Sequence, residues 1–224
     1  MKKISYLLVA IFALSLIAGC VSIPDKKNTA QYSDGKITTI VEKGKCEIYL
    51  NGGISSDLPN YIESEINNIK SQNCQKKTLV INSHGGISSA AQKVGRLVRL
   101  NNFDTAIRYE NQCSSACGLI FISGVNRIIW KPNFLYVKEP RIGFHTPAVK
   151  NDGSCMNIDR INQDKRIKAT VINIFNYAES MLGRNSALQF TTNMFDTDCK
   201  ELKLFSVDKL LEQGIATRVG TLSE

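Results

Sequence analysis

The chain has 224 residues, a formal net charge of +8, seven cysteines and two histidines. Its basic residues (Lys76, Lys77, Arg96, Arg99, Lys165, Arg166, Lys168) are scattered rather than gathered into a stripe with aromatics, which argues against a nucleic-acid interface and for a solvated surface with some attraction to anionic membrane or cell-wall polymer. Beyond the amino-terminal segment, about 185 residues remain, enough for one domain with a sizeable core.

Lys2 and Lys3 form a positive start, and Tyr6 to Ile17 is an apolar run too short to span a bilayer comfortably. The run ends in Ile17-Ala18-Gly19-Cys20, which resembles the lipobox of bacterial lipoproteins. That resemblance implies a signal peptide over 1–19 and a Cys20 that becomes the acylated first residue of the mature chain. Several acyl chains on one residue anchor firmly where one binds only marginally. Val21 and Ser22 follow, with no retention aspartate. By resemblance to Gram-negative sorting, the expected location is the cell envelope, lipid-anchored in the outer membrane and facing the periplasm. Loss of Lys2 and Lys3 leaves about +6. Residues 20–36 read as the lipidated cysteine and a flexible tether, polar and with Pro24, and 37–224 as the folded domain.

Six cysteines remain: Cys46, Cys74, Cys113, Cys117, Cys155 and Cys199. An even number in an exported chain argues for three disulfides, although six cysteines allow fifteen pairings. Order along the chain suggests Cys46–Cys74, Cys113–Cys117 and Cys155–Cys199. No histidine falls at ligand spacing from them, so no metal site is expected.

Lys45 to Leu50 alternates as a strand does. Ser56-Asp57-Leu58-Pro59 is a helix start, with a capping candidate before an early proline, and Tyr61, Ile62, Ile66 and Ile69 mark one apolar face. Thr78 to Ile81 reads as a parallel strand covered on both sides. Next come Asn82-Ser83-His84-Gly85-Gly86 and a helix with Ala90, Ala91, Val94, Leu97, Val98 and Leu100 on its apolar side. A glycine pair between strand and helix lets backbone N–H groups approach a ligand. A strand over 104–109 leads to Gln112-Cys113-Ser114-Ser115-Ala116-Cys117-Gly118, read as a tight turn into a helix over 115–123. Unpaired N–H groups and the positive dipole end there lie where an oxyanion would form. Strands follow at Arg127–Trp130, Pro132–Lys138 and Arg141–Pro147, the last carrying His145. A long helix over Asn157–Leu182, a shorter one over Ser186–Met194, a strand over Leu202–Phe205, a helix over Val207–Gln213 and a strand over Ile215–Val219 complete the chain. Alternating strands and helices give an α/β domain.

Ile81-Asn82-Ser83-His84-Gly85-Gly86, Cys113-Ser114-Ser115-Ala116-Cys117, Gly143-Phe144-His145 and the stretch from Phe205-Ser206 to Gly214-Ile215-Ala216 together resemble the Clp-protease/crotonase superfamily, above all its exported, Clp-protease-like periplasmic members. The resemblance spans about Cys46 to Val219 and implies a ClpP/crotonase-like fold of repeated ββα units, with stacked sheets flanked by helices. It implies a serine hydrolase, in particular a peptidase, acting without a cofactor on a peptide or protein. Ser115 would be the nucleophile, with Ser114 its neighbouring alternative, and His145 the general base. The N–H groups of Gly86 and Ala116 would form the oxyanion hole. The third member would be Asp198, by the count back from Ser206, or Asp196, which precedes a threonine. His84 stands where the family commonly has proline and reads as a surface or structural residue before a second catalytic histidine. Three other readings compete: a catalytically inactive envelope binding module of the same fold, crotonase-like acyl-thioester chemistry, and a Ser–Lys peptidase. The last has no lysine placed by motif, and the second needs a cytosolic coenzyme A ester. A homo-oligomer is compatible with the family, but an ATP-driven unfoldase partner is not expected outside the cytoplasm.

Overall fold

Period-two alternation builds the larger sheet. The computed structural model describes residues 26–130, 140–148 and 153–220. Ile37, Thr39 and Val41 of β2 (Gly35–Glu42) and Cys46, Ile48 and Leu50 of β3 (Lys45–Gly52) are buried, and they alternate with more exposed neighbours. β2 lies antiparallel between β1 (Lys26–Tyr32) and β3. From β3 the sheet runs parallel through β4 (Lys76–Asn82), β5 (Asp104–Ile107), β7 (Arg127–Trp130) and β10 (Arg218–Gly220), making seven strands. Thr78 to Ile81 of β4 is buried without alternation, because both faces of a central parallel strand are covered. A smaller sheet holds β6 (Gln112–Ser114) parallel to β8 (Arg141–Phe144), with β9 (Lys203–Leu204) antiparallel on its far side. A bridge between Ser83 and Cys113 links the end of β4 to β6, so the two sheets meet where β4 runs out.

Helices supply the rest of the core. α1 (Leu58–Ile69) buries Leu58, Ile62, Ile66 and Ile69, and α2 (Ser88–Leu100) buries Ala90, Ala91, Val94 and Val98, both at helical spacing. The short α3 (Cys117–Phe121) is buried throughout. α4 (Lys165–Leu182) sends the Tyr177 hydroxyl to the carbonyl of Leu119 at 2.8 Å. α5 (Arg184–Phe195) and α6 (Val207–Glu212) close the carboxy-terminal side. A smaller apolar group, Val80, Ala106, Ile128 and Trp130, lies apart from the main core. Arg108 stacks there between the rings of Tyr49 and Trp130 and pairs with Glu47 at 3.2 Å.

The structure corrects several boundaries: the strand over 104–109 ends at Ile107, Gln112–Ser114 forms a strand rather than part of a turn, and the last strand is Arg218–Gly220 rather than Ile215–Val219. Residues 26–36, read as tether, form β1, the turn after it and the first two residues of β2. The residues of β1 are mostly exposed and polar, so composition hides a strand held by its main-chain ladder with β2 and by a few anchors. Tyr32 is buried and donates its hydroxyl to Gly53 O at 2.7 Å, and Asn28 donates to the buried Glu65 at 2.8 Å. The long helix expected from Asn157 is instead a 3-10 turn, Ile158–Arg160, followed by α4. Asp164 breaks the run because its extended backbone and its side chain, which accepts from Arg166 N at 2.8 Å, form a new amino-terminal cap. The strand expected at Pro132–Lys138, the signal peptide and Cys20 lie outside the described residues.

Three disulfides join Cys46 to Cys74, Cys113 to Cys117 and Cys155 to Cys199, over separations of 28, 4 and 44 residues. Loop-closure arithmetic gives about 3–4 kcal/mol for each longer loop and about 2 kcal/mol for the shortest.

Asp57 occupies the cap position of α1, but its carboxylate turns away from the helix. It accepts from Ser33 N at 3.1 Å, from Ser33 Oγ at 2.7 Å and from Ser55 Oγ, tying the β1–β2 turn to the approach of α1. These hydrogen bonds, that of Ser55 first, hold the carboxyl down at about 2 against an ordinary 3.8. A depressed carboxylate stabilises the fold above its unfolded pKa, and that contribution is lost as pH falls through the folded one. The expected outcome is that Asp57→Asn flattens the slope of stability against pH between 3.8 and about 2, measured by urea unfolding across that window. An unchanged slope would show that these hydrogen bonds do not persist in solution.

Candidate active site

The site is built where the ends of three strands meet. Ser83 N donates to Gln112 O at 2.8 Å and Ser114 N to Ser83 O at 3.0 Å, fastening the end of β4 to β6. Ser115 N donates to Gly143 O at 2.9 Å, fastening the end of β6 to β8. β6 and β8 are parallel, with Ser114 opposite Gly143, so both run out at the same edge. Ser115 and His145 therefore sit one and two residues past paired positions on adjacent strands, which lie about 4.8 Å apart.

Ser115 has φ +55°, a left-handed conformation that side chains resist. It lies two residues before α3, which begins at Cys117 rather than at 115. The chain reverses there: Gly118 N donates to Ser115 O at 3.0 Å and Leu119 N to Ala116 O at 3.1 Å. Ser114 is a buried strand residue, whereas Ser115 is half-buried at the strand-to-helix turn, where a strained residue presents its side chain.

The glycine loop passes directly over this turn. A Cβ on Gly85 would fall 2.6 Å from Ser114 O, 2.9 Å from Ser115 Cβ and 3.3 Å from Ala116 N. Gly85 and Gly86 have φ of +100° and +143°, which glycine alone adopts without strain. Gly86 bridges to Ile54 through its neighbours: Ile54 N donates to Gly85 O and Ile87 N to Ile54 O, both at 2.8 Å. In that pattern the N–H of Gly86 itself points away from Ile54. Among the described residues, neither the Gly86 N–H nor the Ala116 N–H has an acceptor. Ala116 is buried, where backbone donors are normally paired, while Gly86 is exposed on the loop; the two free N–H groups beside a strained serine form a receptive place for an oxygen carrying negative charge.

His145 Nδ1 lies 2.8 Å from the carbonyl oxygen of Thr146. A carbonyl can only accept, so Nδ1 carries the hydrogen and Nε2 is left as the basic nitrogen. Thr146 is itself pinned, its N–H donating to Thr197 O at 3.1 Å. The segment holding both candidate acids thus supports the histidine loop through its main chain, while the carboxylates go elsewhere. Asp196 pairs with Lys203 at the surface. Asp198 accepts from Lys200 N at 2.8 Å and forms a local turn. Among the described residues neither hydrogen-bonds His145, and Ser115 Oγ makes no hydrogen bond. A cleft of about 290 Å³ opens beside the loop, lined in part by Thr146, Phe195, Thr197 and the carboxylates of Asp159, Asp196 and Asp198. Cys155, Cys199 and Asp198 lie together, but both sulfurs are bonded to one another and offer no thiolate to a metal. His84 is exposed, and its Nε2 closes over Gly53 beside the carboxylate of Asp34.

Several supporting residues carry no sequence motif. Gly118 lets α3 touch Phe144, the residue before His145, since a Cβ there would fall 2.4 Å from its ring. Phe144 packs against Phe190 and Phe205 at ring separations of 5.2 Å. At the other end of α3, Arg99 donates to the carbonyls of Ser123, Gly124 and Met181 at 2.7, 3.1 and 2.9 Å. Arg127 donates to Ile215 O at 2.8 Å, and burial, with Arg99 nearby, lowers its guanidinium to about 10.

No family model and no curated protein matches the chain. Solved structures do. ClpP1 from Listeria monocytogenes superposes with a TM-score of 0.56 at 18% identity, covering 78% of this chain and 91% of that one. A point mutant of the same protein gives 0.56 at 20% identity over the same shares. A mutant of the 1510-N membrane-bound stomatin-specific protease gives 0.55 at 14% identity, covering 77% of each chain. The fold is ClpP-like, a mixed α/β layer of strands flanked by helices.

The tightness of the glycine loop yields a test. Gly85→Ala must move the loop or the serine turn, and is expected to cost about 1–3 kcal/mol of stability. Thermal and urea unfolding of the variant would show it. A Gly85→Ala protein as stable as the parent would mean that the loop does not lie against Ser115.

Proposed function

We propose that the protein is a serine hydrolase of peptide bonds, tethered in the cell envelope through a lipid on Cys20. The observation that carries the reading is the half-buried, left-handed Ser115, set between two unpaired N–H groups and the end of the neighbouring strand that bears His145. All three of the structural neighbours described above are named ClpP1 or titled as a protease, which supports a peptide or protein as the substrate class. The lipid anchor, an outer-membrane location and a periplasmic outlook rest on the resemblance of Ile17 to Cys20 to a lipobox.

In this mechanism His145 Nε2 takes the proton from Ser115 Oγ as that oxygen attacks the substrate carbonyl. The N–H groups of Gly86 and Ala116 receive the oxyanion. His145 then hands the proton to the leaving amine, and water, activated by the same nitrogen, releases the acyl group. The Thr146 carbonyl holds the imidazole in the tautomer the chemistry requires. A neutral carbonyl stabilises the imidazolium less than a carboxylate does, so the arrangement is a dyad with a main-chain orienting group rather than a full triad. No step needs a cofactor.

The inactive binding module is the second reading. It is favoured by the missing hydrogen bond at Ser115 Oγ and by the absence of a carboxylate at His145 among the described residues.

Fluorophosphonate labelling of the full chain, read by mass spectrometry, separates the two. Probe mass is expected on Ser115 and absent in Ser115→Ala, while Ser114→Ala still labels. His145→Ala is expected to slow labelling by about 10³-fold or more, and Asp196→Asn and Asp198→Asn by less than about tenfold. A folded protein with no adduct at Ser115 would sink the hydrolase reading and leave the binding module.

A further inference from the structure

We infer that the Cys113–Cys117 disulfide is a positioning device for Ser115: it clasps the two ends of the turn and keeps the serine and the Ala116 N–H facing one place. The inference rests on the reading of Ser115 as the nucleophile. Cys113 lies in β6 and Cys117 is the first residue of α3, with the left-handed Ser115 midway between them.

A left-handed residue is ordinarily glycine, which adopts that conformation freely. A nucleophile must carry its side chain, so the conformation has to be imposed from outside. Hydrogen bonds impose part of it: Ser114 N and Ser115 N are held on the strand side, and Ser115 O accepts from Gly118 N on the helix side. The Ala116 N–H, in the middle, is left unbonded. A turn that keeps one N–H free for an oxyanion gives up one of its own restraints, and the disulfide supplies a covalent one in its place.

Two further facts fit a local role. A four-residue separation closes the smallest of the three loops and so constrains the unfolded chain least. Its effect is concentrated in the folded turn. Both sulfurs are also 0% exposed and belong to the main core, out of reach of solvent thiols, so the bond acts as a permanent clasp rather than a switch. Cys113 and Cys117 are thereby positioning residues, acting through Ser115 and Ala116.

The test compares the full chain with C113A/C117A and C113S/C117S. It measures kinact and KI for a fluorophosphonate at Ser115, and amide exchange of the peptide spanning 112–119. The expected result is a kinact lower by about tenfold or more with KI unchanged, and faster exchange confined to that peptide. A variant as reactive as a labelled parent, or one that exchanges no faster, overturns the clasp. Should the parent take no label while the variants exchange faster, the clasp stands and the nucleophile reading falls. If both variants fail to fold, the bond is a staple of the whole domain, and the proposal of a local role fails.

Discussion

Ser115 is held in a backbone conformation that its side chain disfavours, and much of the surrounding structure is arranged to hold it there. The strand before it is bonded on one side to Ser83 and on the other to Gly143. The helix after it is fixed at its far end by Arg99, along its length by Tyr177, and at its start by contact with Phe144. A single flexible loop could not keep such a residue in place. Two rigid sheets meeting at β4, with a buried helix driven against them, can.

The same convergence brings together residues far apart in sequence. Ile54 meets Gly86, Ser83 meets Cys113, and Ser114 meets Gly143, each through parallel pairing. Parallel neighbours run out at a common edge, so the serine turn and the strand end that carries His145 leave the smaller sheet on the same side, and the glycine loop packs on that turn, although none of the three lies close to another in the chain. The site is a property of strand register. A slip of one residue between β6 and β8 would send His145 to the opposite face.

Much of this was legible in the sequence, for stated reasons. The strands that alternate or run wholly apolar, Lys45 to Leu50 and Thr78 to Ile81, declare themselves through burial. The glycine pair and the serine turn declare themselves through the backbone conformations they need. What stayed hidden depends on partners. β1 looked like a linker because its side chains are exposed and only its backbone ladder and Tyr32 fix it. The break before α4 was masked because apolar residues flank Asp164 on both sides, at Ile161 and Ile167. Asp196 and Asp198 occupy the right neighbourhood by count, yet the contribution of that segment to His145 passes through the carbonyl of Thr197, which any residue would provide.

The position of β1 also bears on where the domain can stand. The first described strand begins at Lys26, and residues 21–25 lie between it and Cys20 in the chain. Six peptide steps span at most about 20 Å when fully extended. Were Cys20 acylated as proposed, the domain would ride close against the lipid headgroups with little freedom to swing outward. On the proposed hydrolase reading, its substrates would then be limited to chains passing within a molecular diameter of the bilayer surface, so membrane proximity would filter them before the site does.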